Sequence, residues 1–291
     1  MKLIESSVEY LPQEEGLEGV YKQIERCART CYKSEDKITE DSAKGFVDRM
    51  IKSHHTAMLE HGTVCLILSK KMSYVPYEDN IYSKVGLHKN GNYVVVTNLR
   101  VLQENNWMDD LKYLCSPTKY HEKRYTFKFI CSRAIANELV RHRKFSFAQE
   151  SQRYCNYSKD KYGNGITFII PSWCDFEPLQ IEEYEKGNLK HSKVGEYALL
   201  SGLLEAEAYY LTMLSDDCTP QQARDVLPNA TKTELVMTGF ASDYRHLLDL
   251  RLFGKTGQPH PDMIDLMEKL RYEALEAGIW HDIMRYPSKF K

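Results

Sequence analysis

The segment from Arg141 to Tyr154 concentrates side chains that bind anions and planar rings. It contains three arginines and one histidine together with serines and glutamine, and aromatic residues stand between them. The planar donor fork of arginine suits phosphate and carbonyl groups, and aromatic rings can cover a planar ligand. The segment therefore predicts an anionic, heteroaromatic ligand, although its charges alone would equally fit the solvated basic end of a helix.

Two further groups of polar residues stand apart from this segment. His55 and Glu60 lie between a predicted helix and a predicted strand, where they either handle protons or cap the helix. Arg224 comes shortly before a Leu-Pro break in a helical pattern. Taken alone, Arg224 is most simply an exposed helix residue, because arginine is rarely buried without a partner. Neither group identifies a reaction without further information.

Hydrophobic periodicity predicts the elements that must position these residues. Spacings of three and four residues predict helices over 17–31, from Thr39 to about Ile51, over 195–214 and over 263–270. Apolar, β-rich runs at 63–68, 93–96 and 166–170 predict strands. A helical pattern from Glu122 to Val140 leads directly into Arg141, and both Thr219-Pro220 and Thr231-Lys232 resemble capped helix starts.

Composition narrows the class of protein. The chain has 291 residues and a formal net charge of -2, which lacks the basic excess of proteins that hold nucleic acid by its phosphates. We expect a single domain over 1–291, with the irregular stretch at about 70–121 as an elaboration. The eight cysteines include no CxxC pair, so we expect reduced thiols and no metal site. No apolar stretch reaches membrane length and no secretory signal is evident, so we expect a cytoplasmic protein without membrane partners.

The spacing of the basic segment resembles the signature of flavin-dependent thymidylate synthases. Arg141-His142-Arg143, seven residues, Ser151 and then Arg153 match that signature without a gap. The run from His55 to His61 resembles a second family segment, and Arg224 to Pro228 with the later Arg251 resembles a third. The three blocks occur in the family order.

This sequence also departs from the family pattern. Ala57 and Cys31 stand where the family commonly has hydroxyl side chains, and Phe240-Ala241-Ser242 replaces the usual Asn-x-Arg. Glu138 stands where the family often has glutamine, so this position can accept a hydrogen bond but cannot donate one. The resemblance therefore leaves the strength of flavin binding open.

The resemblance implies a fold and a reaction. The fold would be α+β, the complex α/β fold of flavin-dependent thymidylate synthases without a Rossmann domain, and the sequence contains no GxGxxG. The reaction would convert dUMP to dTMP, with methylenetetrahydrofolate as carbon donor and FAD reduced by NADPH as hydride source. The family forms homotetramers with active sites between subunits, and we expect the same here, with no nucleic-acid partner.

The resemblance also assigns roles to individual residues. Arg251 would be catalytic, polarising the N3/O4 edge of uracil and stabilising the charge that develops in the ring. The expected dUMP-binding residues are Glu138, Arg141, Gln149, Glu150, Ser151, Gln152, Arg153, Arg224 and Arg251. The expected FAD-binding residues are Arg141, His142, Arg143, Gln149, His246 and Glu60. His55 is a candidate for the folate site.

Two other functions remain to be separated from this one. A cysteine-dependent pyrimidine methyltransferase would use Cys155, which follows the basic segment directly. That enzyme would be colourless and would lose activity on Cys155→Ala. An RNA- or nucleotide-binding module built on the basic segment and its tyrosines would instead bind oligonucleotides in a salt-dependent way.

Overall fold

The fold mixes helices and strands, as expected from the sequence. The computed structural model describes residues 1–72, 75–174 and 193–290. The strands are β1 (Lys2–Ile4), β2 (Ser7–Tyr10), β3 (Thr63–Leu68), β4 (Lys84–Leu87), β5 (Tyr93–Asn98), β6 (Arg124–Ser132), β7 (Ser146–Gln149), β8 (Thr167–Ile169) and β9 (Lys232–Phe240). The helices are α1 (Gly16–Thr30), α2 (Ser42–Lys52), α3 (Val75–Glu78), α4 (Leu99–Glu104), α5 (Arg133–Leu139), α6 (Val194–Ser215), α7 (Pro220–Ala223), α8 (Ala241–Arg251), α9 (Pro261–Glu276) and α10 (Trp280–Met284).

A four-stranded antiparallel sheet, in the order β2-β6-β9-β7, carries the basic segment. Its two long strands, β6 and β9, pair continuously from Arg124 opposite Phe240 to Ser132 opposite Lys232. Buried side chains of this sheet pack against α8 and α9 in one large hydrophobic cluster that includes Phe127, Phe129 and Tyr244. The sheet is therefore a rigid support for residues at its edges and for the helices packed on it.

The prediction of a helix over 122–140 is wrong for its first part. Residues Arg124–Ser132 form β6, and only Arg133–Leu139 are helical. Alternate residues Tyr125, Phe127, Phe129 and Cys131 are buried with the sheet cluster, a period of two that the three- and four-residue matches obscured. Thr231-Lys232 likewise does not begin a helix, because Lys232 is the first residue of β9.

Most of the other predicted elements are confirmed. The structure contains α1, β3, β5, β8, α6 and α9 close to their predicted bounds. The capping box at Thr219 is present, with Pro220 as the first residue of α7. The helix predicted from Thr39 begins slightly later, at Ser42, whose hydroxyl accepts from the backbone N–H of Thr39 at 2.9 Å.

The stretch 70–121 builds a second, smaller sheet onto the core. Strands β3, β5 and β4 pair in that order, so the stretch contributes two strands to a sheet that begins with β3. The inner side chains of this sheet pack with α1, α2 and α4 in a separate hydrophobic cluster. A short parallel pair, β1 with β8, lies beside the central sheet. Within the described residues, no helix is both long and apolar enough to cross a membrane.

Candidate active site

Three of the predicted site residues meet where α5 and α8 end. The guanidinium of Arg251, the last residue of α8, donates from Nη1 to the carboxylate of Glu138 on α5 at 2.9 Å. Its Nε donates to Nε2 of His142 at 3.1 Å. The helix that carries Arg251 is fixed to the sheet by the Tyr244 hydroxyl, which donates to the carbonyl of Met237 at 2.8 Å. Glu138 and Arg251 thus lie on helices, and His142 lies in the turn after α5. These three residues are called the Arg251 cluster below.

His142 holds Arg251 as a neutral hydrogen-bond acceptor. Burial, the nearby Arg251 and then His246 lower its pKa from 6.5 to about 4. Because Nε2 accepts from the guanidinium, the ring proton must be on Nδ1. The imidazole therefore orients Arg251 without adding a positive charge beside it.

A cavity of about 300 Å³ opens beside this cluster. Its lining residues are Arg141, His142, Arg143, Lys144, Phe145, Asp243, His246, Leu250, Arg251 and Lys289. The lining has five cationic side chains and a single carboxylate, so the cavity favours an anionic ligand. Among the described residues, no carboxylate pairs with Arg141 or Arg143.

His246 contributes an unused hydrogen-bonding atom to the same cavity. Its Nδ1 is buried without a hydrogen-bond partner in the described structure, and its ring stacks on Phe290 with centroids 5.5 Å apart. A buried polar atom that lacks a partner is a costly arrangement, and a bound ligand would relieve it. This atom, together with the unpaired arginines, fits a group such as a flavin with its phosphates.

Close packing between the sheet and the turn after α5 sets the position of the basic residues. The ring of Phe145 lies so near Gly239 that a Cβ there would approach Cδ1 to 2.4 Å. Glycine at this position therefore allows Phe145 to pack against β9. This contact fixes the turn that carries Arg141, His142 and Arg143.

The later part of the basic segment has other partners, and in the described structure it forms no hydrogen bond or ion pair with the Arg251 cluster. Gln149 is the last residue of β7 and donates to the Thr233 hydroxyl at 3.3 Å. The backbone N–H of Ser151 donates to the carbonyl of Cys31 at 2.9 Å. Arg153 is exposed, with its guanidinium 5.4 Å from the ring centroid of Tyr154.

Glu150 belongs to a buried network of charges. Its Oε1 accepts from the Tyr157 hydroxyl at 2.7 Å, and its Oε2 pairs with Lys232 at 2.8 Å. Lys232 also pairs with Glu234 at 2.6 Å, and Lys33 and Lys128 pair with the same carboxylate. Both carboxylate oxygens of Glu150 are therefore engaged within the chain. Gln152, also predicted for the substrate site, is buried with Nε2 unpaired in the described structure.

The remaining predicted residues occupy three other places. Arg224 follows α7 in a 3-10 turn, with its Nε 4.0 Å from a carboxylate oxygen of Asp225. His55 is exposed just before the 3-10 turn Thr56–His61, and Glu60 in that turn pairs with Arg100. Within one chain, the fold therefore brings Glu138, His142 and Arg251 together, whereas these remaining predicted residues lie in separate places.

The structure also shows how the family departures are accommodated. Ala57 is exposed in the 3-10 turn, and the Cys31 thiol lies 4.0 Å from the sulfur of Met58. Phe240 is buried, and Lys84 and Arg124 each place a cation 5.5 Å from its ring centroid. The Ser242 amide donates to Glu122 at 3.1 Å.

Sequence reasoning missed three charged residues of the cavity. Lys144 directly follows the predicted Arg-His-Arg, so its place in the cavity could have been inferred from the motif itself. Asp243 lies three residues before His246 on α8, a spacing that puts two side chains on one helix face. Lys289 lies far along the chain, and no sequence signal connects it to the site. Within the described residues, no cluster of His, Cys, Asp and Glu could hold a metal ion.

Comparison with known proteins confirms the resemblance inferred from the motifs. The model of the family described as thymidylate synthase complementing protein matches residues 116–276. This chain belongs to that family. The matched region contains the Arg251 cluster and the whole basic segment, but it begins only at the end of the elaboration.

Relatives named flavin-dependent thymidylate synthase align with parts of the chain. The protein of Corynebacterium efficiens is 32% identical over 150 residues, covering 49% of this chain and 55% of that protein. The protein of Corynebacterium glutamicum is 33% identical over 121 residues, covering 41% and 46%. The alignments thus span about half the length of these relatives. A UMP/dUMP methylase, PolB from Streptomyces cacaoi bound with 5-Br dUMP, superposes with a TM-score of 0.46 at 16% identity, covering 98% of this chain and 97% of that one.

Proposed function

We propose that this chain catalyses the reductive methylation of dUMP to dTMP, with methylenetetrahydrofolate as the carbon donor and FAD reduced by NADPH as the hydride source. Its membership of the family and the names of its relatives support a thymidylate synthase that depends on a flavin. The observation that carries the proposal is the guanidinium of Arg251, held by Glu138 and neutral His142 beside a cationic cavity.

Arg251 is the residue that would activate the substrate. Nη1 of Arg251 donates to Glu138 and Nε donates to His142, so these two contacts fix the plane of the guanidinium. Nη2 remains available to donate to a substrate. A donor held in place before the reaction stabilises charge as it develops, without reorganisation during the step. In this role Arg251 polarises the N3/O4 edge of uracil, and Glu138 and Arg141 bind the same nucleotide.

The residues of the cavity fit the flavin. Arg141, Arg143, His142 and the unpaired Nδ1 of His246 would hold FAD. When bound and reduced by NADPH, FAD supplies the hydride. A cation near the isoalloxazine favours its reduced, anionic form. Gln149 and Glu60 belong to the same proposed set, although in one chain they lie apart from the cavity.

We further propose that complete sites form between the subunits of a homotetramer. Six further residues are assigned to dUMP but form no hydrogen bond or ion pair with Arg251 in the described part of one chain. These residues are Gln149, Glu150, Ser151, Gln152, Arg153 and Arg224. Exposed Arg153 and half-buried Arg224 would hold the dianionic phosphate of a nucleotide bound by a neighbouring subunit. Exposed His55 would contribute to the folate site in the same way.

The visible absorption spectrum of the purified protein tests this proposal. The protein, supplied with FAD if needed, is measured before and after addition of dUMP. We expect a flavin band that shifts when the nucleotide binds, followed by dTMP formation once methylenetetrahydrofolate and NADPH are added. A protein that takes up no FAD and forms no dTMP would contradict the proposal. A colourless protein that methylates dUMP with folate alone would favour a cysteine mechanism.

A further inference from the structure

A second cavity adjoins the candidate active site at Arg143 and Lys144. It has a volume of about 520 Å³ and lies between residues 78–85 and the pair Arg143 and Lys144. Arg143 and Lys144 also line the cavity beside Arg251, so the two cavities share a wall. Residues 78–85 lead into the first strand of the elaboration, β4, and include its first two residues. This second space, the elaboration cavity below, is therefore next to the proposed flavin site but built largely from a different part of the chain.

The elaboration cavity carries an excess of positive charge. Lys84, Arg143 and Lys144 line it, and Glu78 is its one carboxylate in the described structure. None of the three cations forms an ion pair with a described acidic side chain. The buried carboxylate of Asp243 feels the charges of Lys144 and Lys84, but it forms no ion pair with either among the described residues. Unpaired cations that face a cavity favour an anion with several charges.

Apolar and aromatic surface lies beside these cations. Ile81 is 83% exposed and Tyr82 is 39% exposed, and both line the elaboration cavity. Exposure of the apolar Ile81 side chain to water is unfavourable. A planar ring could cover it by packing over Ile81 and Tyr82. The volume also lies within the range of about 300 to 1,000 Å³ that is usual for pockets holding small ligands and cofactors. Cations next to a ring platform match a nucleotide that carries phosphate groups.

We propose that the elaboration cavity binds the adenosine phosphate end of NADPH, the reductant of the flavin. This inference rests on the proposed function. The shared wall at Arg143 lets an extended dinucleotide place its adenosine end in this cavity while its other end reaches the flavin site. Lys84 and Lys144 would bind the phosphates, and Tyr82 would pack against the adenine ring. The elaboration thus supplies the binding site for the reductant.

Adenosine 2′,5′-bisphosphate, which cannot reduce the flavin, provides a direct binding probe. The FAD-loaded protein is titrated with it by calorimetry, as wild type and as Lys84→Gln, Lys144→Gln and Lys89→Gln. Lys89 is an exposed lysine of the same elaboration that does not line the cavity, so its variant is the matched control. Loss of one charge-assisted hydrogen bond to phosphate should weaken binding about 10-fold or more in the Lys84 and Lys144 variants. The control should bind like wild type.

Kinetic measurements separate this site from the rest of the reaction. We expect Lys84→Gln to raise the KM for NADPH while the FAD content and the KM for dUMP stay unchanged. When dithionite supplies the electrons instead of NADPH, Lys84→Gln should form dTMP at the wild-type rate. Unchanged binding of the probe in both lysine variants would overturn the proposal. Loss of FAD from Lys84→Gln would also overturn it, because the cavity would then belong to the flavin.

The two proposals fail in different ways. If the wild-type protein with dithionite-reduced FAD forms no dTMP, the proposed reaction is wrong, whatever the probe does. If dTMP forms but adenosine 2′,5′-bisphosphate does not bind, only the assignment of the elaboration cavity is wrong.

Tyr82→Ala tests the ring contact without changing the charge of the cavity. It should weaken binding of the probe without altering the FAD content.

Discussion

The Arg251 cluster and the charge network around Glu150 differ in how fully their charges are paired. In the Arg251 cluster, one guanidinium is held by one carboxylate and one neutral imidazole, beside further cations that have no acidic partner in the described structure. Around Glu150, by contrast, buried carboxylates are matched by Lys232, Lys33 and Lys128. The first cluster has charge available to a ligand, whereas the second uses its charges to hold the sheet together.

This difference in pairing predicts different consequences of substitution in the two clusters. Buried, paired charges stabilise a fold chiefly by avoiding the cost of an unpaired partner. Cations beside an open cavity contribute little to the stability of the fold. They can bind a ligand in place of water. Substitutions in the Glu150 network should therefore change the free energy of unfolding, and those in the Arg251 cluster should change turnover.

The largest effect is expected from Lys232→Met. The side chain of Glu150 is 1% exposed, and Lys232 is its only ion-pair partner in the described structure. Removing one partner of a buried pair costs about 3 to 5 kcal/mol, because a charge is left buried without compensation. Urea denaturation should show a loss of this size. Lys44→Met removes an exposed lysine that pairs with Asp48 and should change stability by at most about 1 kcal/mol. A loss for Lys232→Met no larger than that for Lys44→Met would mean that the Glu150 network does not stabilise the fold.

The next effect concerns turnover. Arg251→Gln removes the positive charge proposed to stabilise the uracil ring as it becomes negative. Loss of one such preorganised donor lowers kcat by about 100- to 1,000-fold in enzymes where it has been removed. Steady-state formation of dTMP measures the effect, and urea denaturation checks that the variant is folded. Arg271→Gln, at an exposed arginine of α9 paired with Glu268, is the control and should retain wild-type kcat. Equal kcat for Arg251→Gln and wild type would remove Arg251 from the mechanism.

The predicted site residues that the structure brings together include a local motif. Arg141, His142 and Arg143 are consecutive, and the structure does place them in one cavity with Arg251. The meeting of Glu138 with Arg251 was implied only by the resemblance, since 113 positions separate them along the chain. No local sequence pattern predicts that the end of α5 lies beside the end of α8. The separation of Gln149 and Arg153 from Arg251 is likewise a property of the folded chain.

The errors in the fold have a similar cause. Residues 122–140 contain both a buried strand and a short helix, and apolar residues at several spacings match either period. Pairing with β9 and β2 decides in favour of the strand over Arg124–Ser132, because it satisfies the backbone hydrogen bonds of three strands at once. Thr231-Lys232-Thr233-Glu234 has the residues of a helix cap, yet its backbone pairs with β6 instead. Tertiary pairing overrides local preference in both places.

A smaller effect is expected in the titration of His142. Its pKa is lowered to about 4, mainly by burial and then by Arg251, so NMR should find the ring neutral down to about pH 5. The unfolded chain takes up the proton below 6.5 and the folded chain only near 4. The contribution of His142 to stability is therefore complete above 6.5 and is lost as the pH falls from 6.5 to about 4. In Arg251→Gln the pKa should rise only partly, because burial remains. A wild-type pKa near 6.5 would mean that His142 is solvated and does not hold Arg251.

The smallest effect is expected from Cys155→Ala, which tests the alternative mechanism at the edge of the Glu150 network. Cys155 is fully buried, and burial and then the carboxylate of Glu150 raise the pKa of its thiol to about 11. Since the thiolate is the nucleophile, a thiol that stays protonated at neutral pH is poorly suited to attack C6 of a pyrimidine. We therefore expect unchanged kcat for dTMP formation and a loss of about 1 kcal/mol in stability from the trimmed core side chain. Loss of turnover with the flavin still bound would place Cys155, and with it the Glu150 network, in the chemistry.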